Sequence, residues 1–279
     1  FIEAIKCHKL GMEQALLLSD TLELIQALNN LGTNYRRLGI LNDASTYHYR
    51  ALSFCETLSN KTAKFAQKQR VISLNGIGNI YLTLDNRQLA DSIFRVALQG
   101  EQQLGSALGQ AINYANLGSI FESNGQGDSA WTYYRHSMQQ NQKAGSDLGI
   151  SLCHNSFGRL YEDDCLWDSA LMEYKASYDI MAGSKDSWHW LEPCLALARV
   201  HLKKGDYSMS YAYLEQAKKA AMNIGSLEHL AQVYDLYYQW YDLKGDCRKP
   251  CLYRQYNEFQ EPASYPESAN TICQRPPSG

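Results

Sequence analysis

Leu117-Gly118-Ser119-Ile120-Phe121-Glu122-Ser123-Asn124-Gly125-Gln126-Gly127-Asp128-Ser129-Ala130 is the stretch on which the fold of this chain turns. Gly118 is followed three places on by a ring, Phe121, and twelve places on by a second small residue, Ala130. Tyr134 comes sixteen places after Gly118 and Ser137 nineteen. Offsets of three and four place side chains on one face of a helix. Asn124-Gly125-Gln126-Gly127-Asp128 is a turn signal between two such faces. Small residues at Gly118 and Ala130 let the two helices approach closely, and the ring fills the space beside their contact. Ala144-Gly145-Ser146-Asp147 then reads as a linker to the next helix. The stretch predicts an αα-hairpin.

The same pattern recurs in both directions. Its small position falls at Gly32, Gly78, Gly118, Gly158 and Ala198, then at Tyr238, so the spacing is 46 once and 40 four times. The ring three places on is Tyr35, Tyr81, Phe121, Tyr161, His201 and Tyr241. Small residues follow at Ala44, Ala90, Ala130, Ala170 and Ser210, and large ones at His48, Phe94, Tyr134, Tyr174 and Leu214. Chance does not produce this, and an array of hairpins, each packed on its neighbours, does. The six extra residues of the first interval lie around Ser59–Lys64 and are expected as longer helices or a longer linker. Counting back from Gly32 puts Ala4 in the Ala130 position, so the chain is expected to open inside a partial repeat. Pro250 stands where the sixth unit needs a small helical residue and would break that helix.

The spacing of small, aromatic, small, large and small residues resembles the tetratricopeptide repeat, in its longer 40-residue form. The resemblance implies an all-α, right-handed solenoid of stacked antiparallel hairpins. It implies a partial repeat over 1–22, repeats near 25–60, 71–104, 111–144, 151–184 and 191–224, a degenerate repeat over 231–259 and an irregular tail over 260–279. It also implies a scaffold that takes a protein or peptide in a concave groove. The sensing regions of bacterial (Bacteroidetes-like) transcriptional regulators and sensor kinases look similar; a structural adaptor without switching is the other reading.

Composition narrows the function classes. Net charge is −3 with no Lys/Arg run, which argues against direct nucleic-acid contact. No apolar run reaches membrane-spanning length. No Gly-rich phosphate loop, His-Glu-x-x-His or Gly-x-Ser-x-Gly occurs, so no catalytic residue, cofactor or metal is expected and the chain is read as a non-enzyme. A phosphatase of the kind found in some peptide receptors is the enzymatic alternative. The eight cysteines lack paired spacing and read as small buried residues of a reducing, cytoplasmic compartment, or a periplasmic one if a signal peptide precedes them. Cys247 and Cys251 alone have a spacing that puts two thiols on one face. A homodimer is a further partner the sequence leaves open.

Helix A of each unit should carry the groove. Residues six before, three before, one after and four after the small position share its outer face. They include Ile72, Ile112 and Leu152, but the polar ones make the candidate site: Asn29, Arg36, Asn75, Asn79, Glu122, Asn155, Arg159 and Arg199. Asn recurs three before the small position in three units. A carboxamide matches a peptide bond with one donor group and one acceptor, and the resemblance implies such a use; bonding between neighbouring repeats is the equal alternative. Arg159 and Arg199 suit a ligand carboxylate, unless Glu122 and Glu162 neutralise them. Trp188-His189-Trp190 is either an exposed anchor or packing between units.

Overall fold

A computed structural model of the chain describes residues 2–58 and 62–245. Among them are twelve α-helices and no strand. They are α1 (Ile2–Leu17), α2 (Thr21–Arg37), α3 (Leu41–Glu56), α4 (Ala63–Thr83), α5 (Arg87–Leu104) and α6 (Ala107–Ser123). Then come α7 (Gly127–Ala144), α8 (Asp147–Asp163), α9 (Trp167–Ala182), α10 (Ser187–Lys203), α11 (Tyr207–Ile224) and α12 (Leu227–Leu243). The chain divides into two compact units, Phe1–Gly183 and Ser184–Gly279.

In the first unit α2/α3, α4/α5, α6/α7 and α8/α9 are hairpins of helix A and helix B, with α1 packed on α2. The small positions do what their spacing demands. Ala44, Ala90, Ala130, Ala170, Ala51, Ala97, Ser137 and Ser177 are all fully buried. At Gly118 a Cβ would stand 2.7 Å from the Tyr134 ring, and at Gly158 one would stand 2.6 Å from that of Tyr174. Helix A and helix B meet there with no room for a methyl group.

Local chemistry sets the helix ends. Ser106 and Ser146 cap α6 and α8 by accepting hydrogen bonds from Gly109 N at 3.0 Å and Gly149 N at 3.1 Å. The hairpin turns need one residue in the left-handed region. Gly125 supplies it at φ 70°, but Asp85 and Cys165 adopt φ 56° and 57° in the equivalent places, where no glycine announces the turn. The longer first interval is shared: α4 has 21 residues against 17 in α6 and α8, and the connection ahead of it is longer than the one at 105–106.

In the second unit α10 and α11 form a hairpin and α12 packs on α11. Ala198, Ser210, Leu214 and Ala217 are fully buried, so the pattern holds with an aliphatic residue in place of the ring. Trp188 is exposed and sets its edge against His229, with ring centroids 4.6 Å apart. The helix expected to break at Pro250, the Cys247/Cys251 pair, the tail over 260–279 and part of the Ser59–Lys64 stretch lie outside the described residues.

Candidate functional site

The outer face of helix A is built from several positions with different fates. Six residues before the small position the side chains stay open: Ile72, Ile112 and Leu152 are exposed aliphatics exactly one repeat apart. One turn earlier Leu108 and Leu148 are exposed as well. Between α6 and α8 the side chains of Leu108, Ile112, Leu148 and Leu152 rim a cavity of about 330 Å³, floored by Ala111, Cys153, Ser137 and Asn141. No carboxylate and no cation lines it.

The position three before the small residue faces inward. Asn29 and Asn155 are each 1% exposed. Asn29 Nδ2 donates to Gln69 O at 3.2 Å and to Gln69 Oε1 at 3.0 Å. Its Oδ1 accepts from Ser73 Oγ at 2.8 Å and lies 3.1 Å from His48 Nδ1. The carboxamide of Asn29 therefore joins α2, α3 and α4 and is not offered to a ligand, which corrects the expectation that it lines the groove. The reason is that helix A packs on the next helix A, a face that the wheel of a single helix does not show. Asn155 is equally out of reach, although both its side-chain polar atoms lack a partner among the described residues. Asn75 is half-buried with Oδ1 unpartnered, and Asn79 Nδ2 donates to Asn75 O at 2.8 Å. We expect Asn29→Ala to cost about 1–2 kcal/mol, because Gln69 and His48 keep their burial but lose their partner. A urea titration checks it, and an unchanged midpoint would remove the bracket role.

The charged candidates meet one another. Arg159 Nε and Nη2 bond Glu122 Oε1 and Oε2 at 2.9 and 3.3 Å, a two-point pairing between neighbouring helix A segments. The Tyr134 hydroxyl also donates to Glu122, and Tyr174 repeats this on Glu162 at 2.9 Å. Burial first, and the Glu122 charge second, push the Tyr134 phenol well above its usual range. Glu162 is buried. Arg159 and Glu122 are thus mutually neutralised, as the second of the two sequence readings had it. Burial and the nearby Glu122 and Glu162 raise the Asp163 carboxyl. Arg199 is half-buried on α10 and engaged by other groups. Arg36 is half-buried near the end of α2, and its guanidinium makes no hydrogen bond or ion pair among the described residues. Burial and the adjacent Arg37 lower its pKa.

Among the described residues no group of three His, Cys, Asp or Glu side chains converges to hold a metal, and no helix is long and apolar enough to cross a membrane. A tetratricopeptide-repeat model matches residues 24–62 and a second matches 194–228. These two segments carry tetratricopeptide repeats. No curated protein matches it in sequence. Among solved structures, BtubC (BKLC) from P. vanneervenii is 18% identical with a TM-score of 0.64, over 80% of this chain and 92% of that one. A Rap protein complexed with competence and sporulation factor is 17% identical with a TM-score of 0.62, over 93% and 72%. The Rap conjugation gene regulator of plasmid pLS20, in complex with the Phr* peptide, is 16% identical with a TM-score of 0.68, over 86% and 64%. At these identities the likeness carries the all-α solenoid fold of this repeat protein and nothing further.

Sequence reasoning placed Ile72, Ile112 and Leu152 on the outer face but gave the weight to asparagine. It missed Leu108 and Leu148. Their signal was present: leucine recurs forty residues apart, one helical turn ahead of an apolar position already assigned to the outside.

Proposed function

We propose that the helix-A face of residues 1–183 binds a segment of a protein or peptide, as the sensing region of a larger signalling or transcriptional regulator. The observation that carries this reading is the repeated exposure of Ile72, Leu108, Ile112, Leu148 and Leu152 on that face. Five aliphatic side chains in phase with the repeat do not serve the core, and open apolar surface of this kind marks interaction sites. Two of the structures similar in fold are complexes, one with competence and sporulation factor and one with the Phr* peptide, which supports a peptide or protein occupant. The described cysteines are free, and burial pushes the Cys55 thiol up to about 11 and the Cys194 thiol up to about 12. Buried thiols of this kind are inert and leave the binding reading without a competing thiol chemistry at those two positions.

Photo-crosslinking tests the binding face. A benzophenone side chain at Ser119, within the face, should capture one discrete partner in cells of the source organism. The same group at Met172, exposed on helix B, should not. Equal capture from both positions sinks the groove reading.

A further inference from the structure

We propose that this face selects a segment with two chemically distinct ends: uncharged aliphatic or aromatic side chains that fill the α6–α8 cavity, and a carboxylate that docks on Arg36. The proposal rests on the groove reading above and names the class of segment it accepts.

The cavity sets the first requirement. Leu108 and Ile112 on α6 face Leu148 and Leu152 on α8, with Ala111 and Cys153 beneath. The polar atoms at its floor belong to one another. Asn141 Nδ2 lies 3.3 Å from Ser137 Oγ and 3.5 Å from Cys153 Sγ, and Ser137 Oγ donates to Ala111 O at 2.9 Å. No charged group lines the cavity, so a charged side chain entering it would be desolvated without an opposite charge to meet it. About 330 Å³ accommodates one large or two medium apolar side chains.

Arg36 sets the second requirement. Four residues after the small position, the third repeat has Glu122, which is met by Arg159 from the next helix A. In the first repeat the same position is Arg36, and the residue that corresponds to Arg159 is Asn79. Asn79 spends its amide nitrogen on Asn75 O. The described residues therefore supply a half-buried guanidinium and no anion to meet it. Its neighbour Arg37 adds positive charge, not negative. A carboxylate brought by a ligand would complete the pairing that Glu122 and Arg159 make internally two repeats along the array. Packed helices lie about 8–10 Å apart, so Arg36 and the cavity are about 25 Å apart across the array and about 15 Å along the helix axes, a path of about 30 Å that roughly nine extended residues span.

Selection of a phage-displayed random dodecapeptide library on the whole chain, followed by fluorescence polarisation with the enriched peptides, tests this. The enriched sequences should carry Leu, Ile, Met or Phe toward one end and Asp or Glu toward the other, about eight to ten positions apart. Leu152→Asp should weaken them about thirtyfold or more, since a hot-spot contact is lost and a charge enters an apolar site. Its thermal melt should stay unchanged, because Leu152 is exposed. Arg36→Gln should weaken them about tenfold, and an Asp→Asn change in the peptide should abolish that difference. Peptides that bind Ser119→Arg as tightly as the parent overturn the groove reading itself. Peptides lost on Ser119→Arg yet indifferent to Leu152→Asp and Arg36→Gln overturn only the present inference. A selection that enriches nothing overturns both.

Discussion

Gly118→Ala is expected to lower stability by about 2 kcal/mol, although alanine is the better helix former by about 1 kcal/mol. The added Cβ falls 2.7 Å from Cδ1 and Cε1 of Tyr134. That ring has little freedom to yield. Its hydroxyl is bonded to Glu122, which Arg159 holds in turn, and its edge meets Phe157 with centroids 6.4 Å apart. Overpacking of this sort costs about 1–3 kcal/mol, and Gly118→Leu should exceed the top of that range. The second unit shows how the clash is relieved. There Ala198 faces fully buried Leu214 instead of a ring. Tyr134→Leu combined with Gly118→Ala recreates that pair, and the alanine should then cost nothing. A double-mutant cycle by urea unfolding reads the coupling directly. If the two changes simply add, the glycine is not there for the ring.

That glycine–ring contact is also why the fold was legible. Each repeat solves the same packing problem, so the solution is written at Gly32, Gly78, Gly118 and Gly158 with a large residue sixteen places later. The turns were legible where glycine takes the left-handed conformation, as at Gly125, and silent where Asp85 or Cys165 does. The candidate site was read less well. A residue three before the small position looks open on an isolated helix, yet α4 covers Asn29 and donates Ser73 to it. Contacts between successive A helices depend on the tilt of one hairpin on the next, which no single-repeat pattern encodes. The charged pair was half legible: Glu122 and Arg159 were both assigned to the outer face, but their mutual distance comes only from that tilt. The aliphatic ladder, by contrast, was in the sequence. Its meaning came from exposure, because an apolar residue in a helical repeat reads as core until the structure leaves it uncovered.

Acid should unlock the first repeat before the others. His48 occupies the position held by Phe94, Tyr134 and Tyr174 elsewhere, and it is fully buried. Its Nδ1 faces Asn29 Oδ1, while Nε2 has no partner among the described residues. Burial, and then the nearby Arg36 charge, hold its pKa down to about 4 against the ordinary 6.5. The unfolded chain therefore binds the proton more readily than the folded one between these values. The contribution to stability is complete above pH 6.5, falls as pH drops through that window, and is lost below about 4, amounting to about 3 kcal/mol. Gly32 and Gly76 flank the ring closely, at 2.7 and 2.2 Å from where a Cβ would stand, so an imidazolium has no space in which to recruit water. His48→Phe restores the residue type of the second repeat. It should cost about 1 kcal/mol at pH 7.5 through the lost bond to Asn29, yet outlast the parent at pH 4.5, where the parent has given up about 2–3 kcal/mol. Carboxylates elsewhere titrate equally in both proteins, so the difference between their pH slopes isolates the imidazole. Parallel slopes from pH 7.5 to 4.5, measured by urea unfolding followed by circular dichroism, would show that His48 is not the acid-sensitive group.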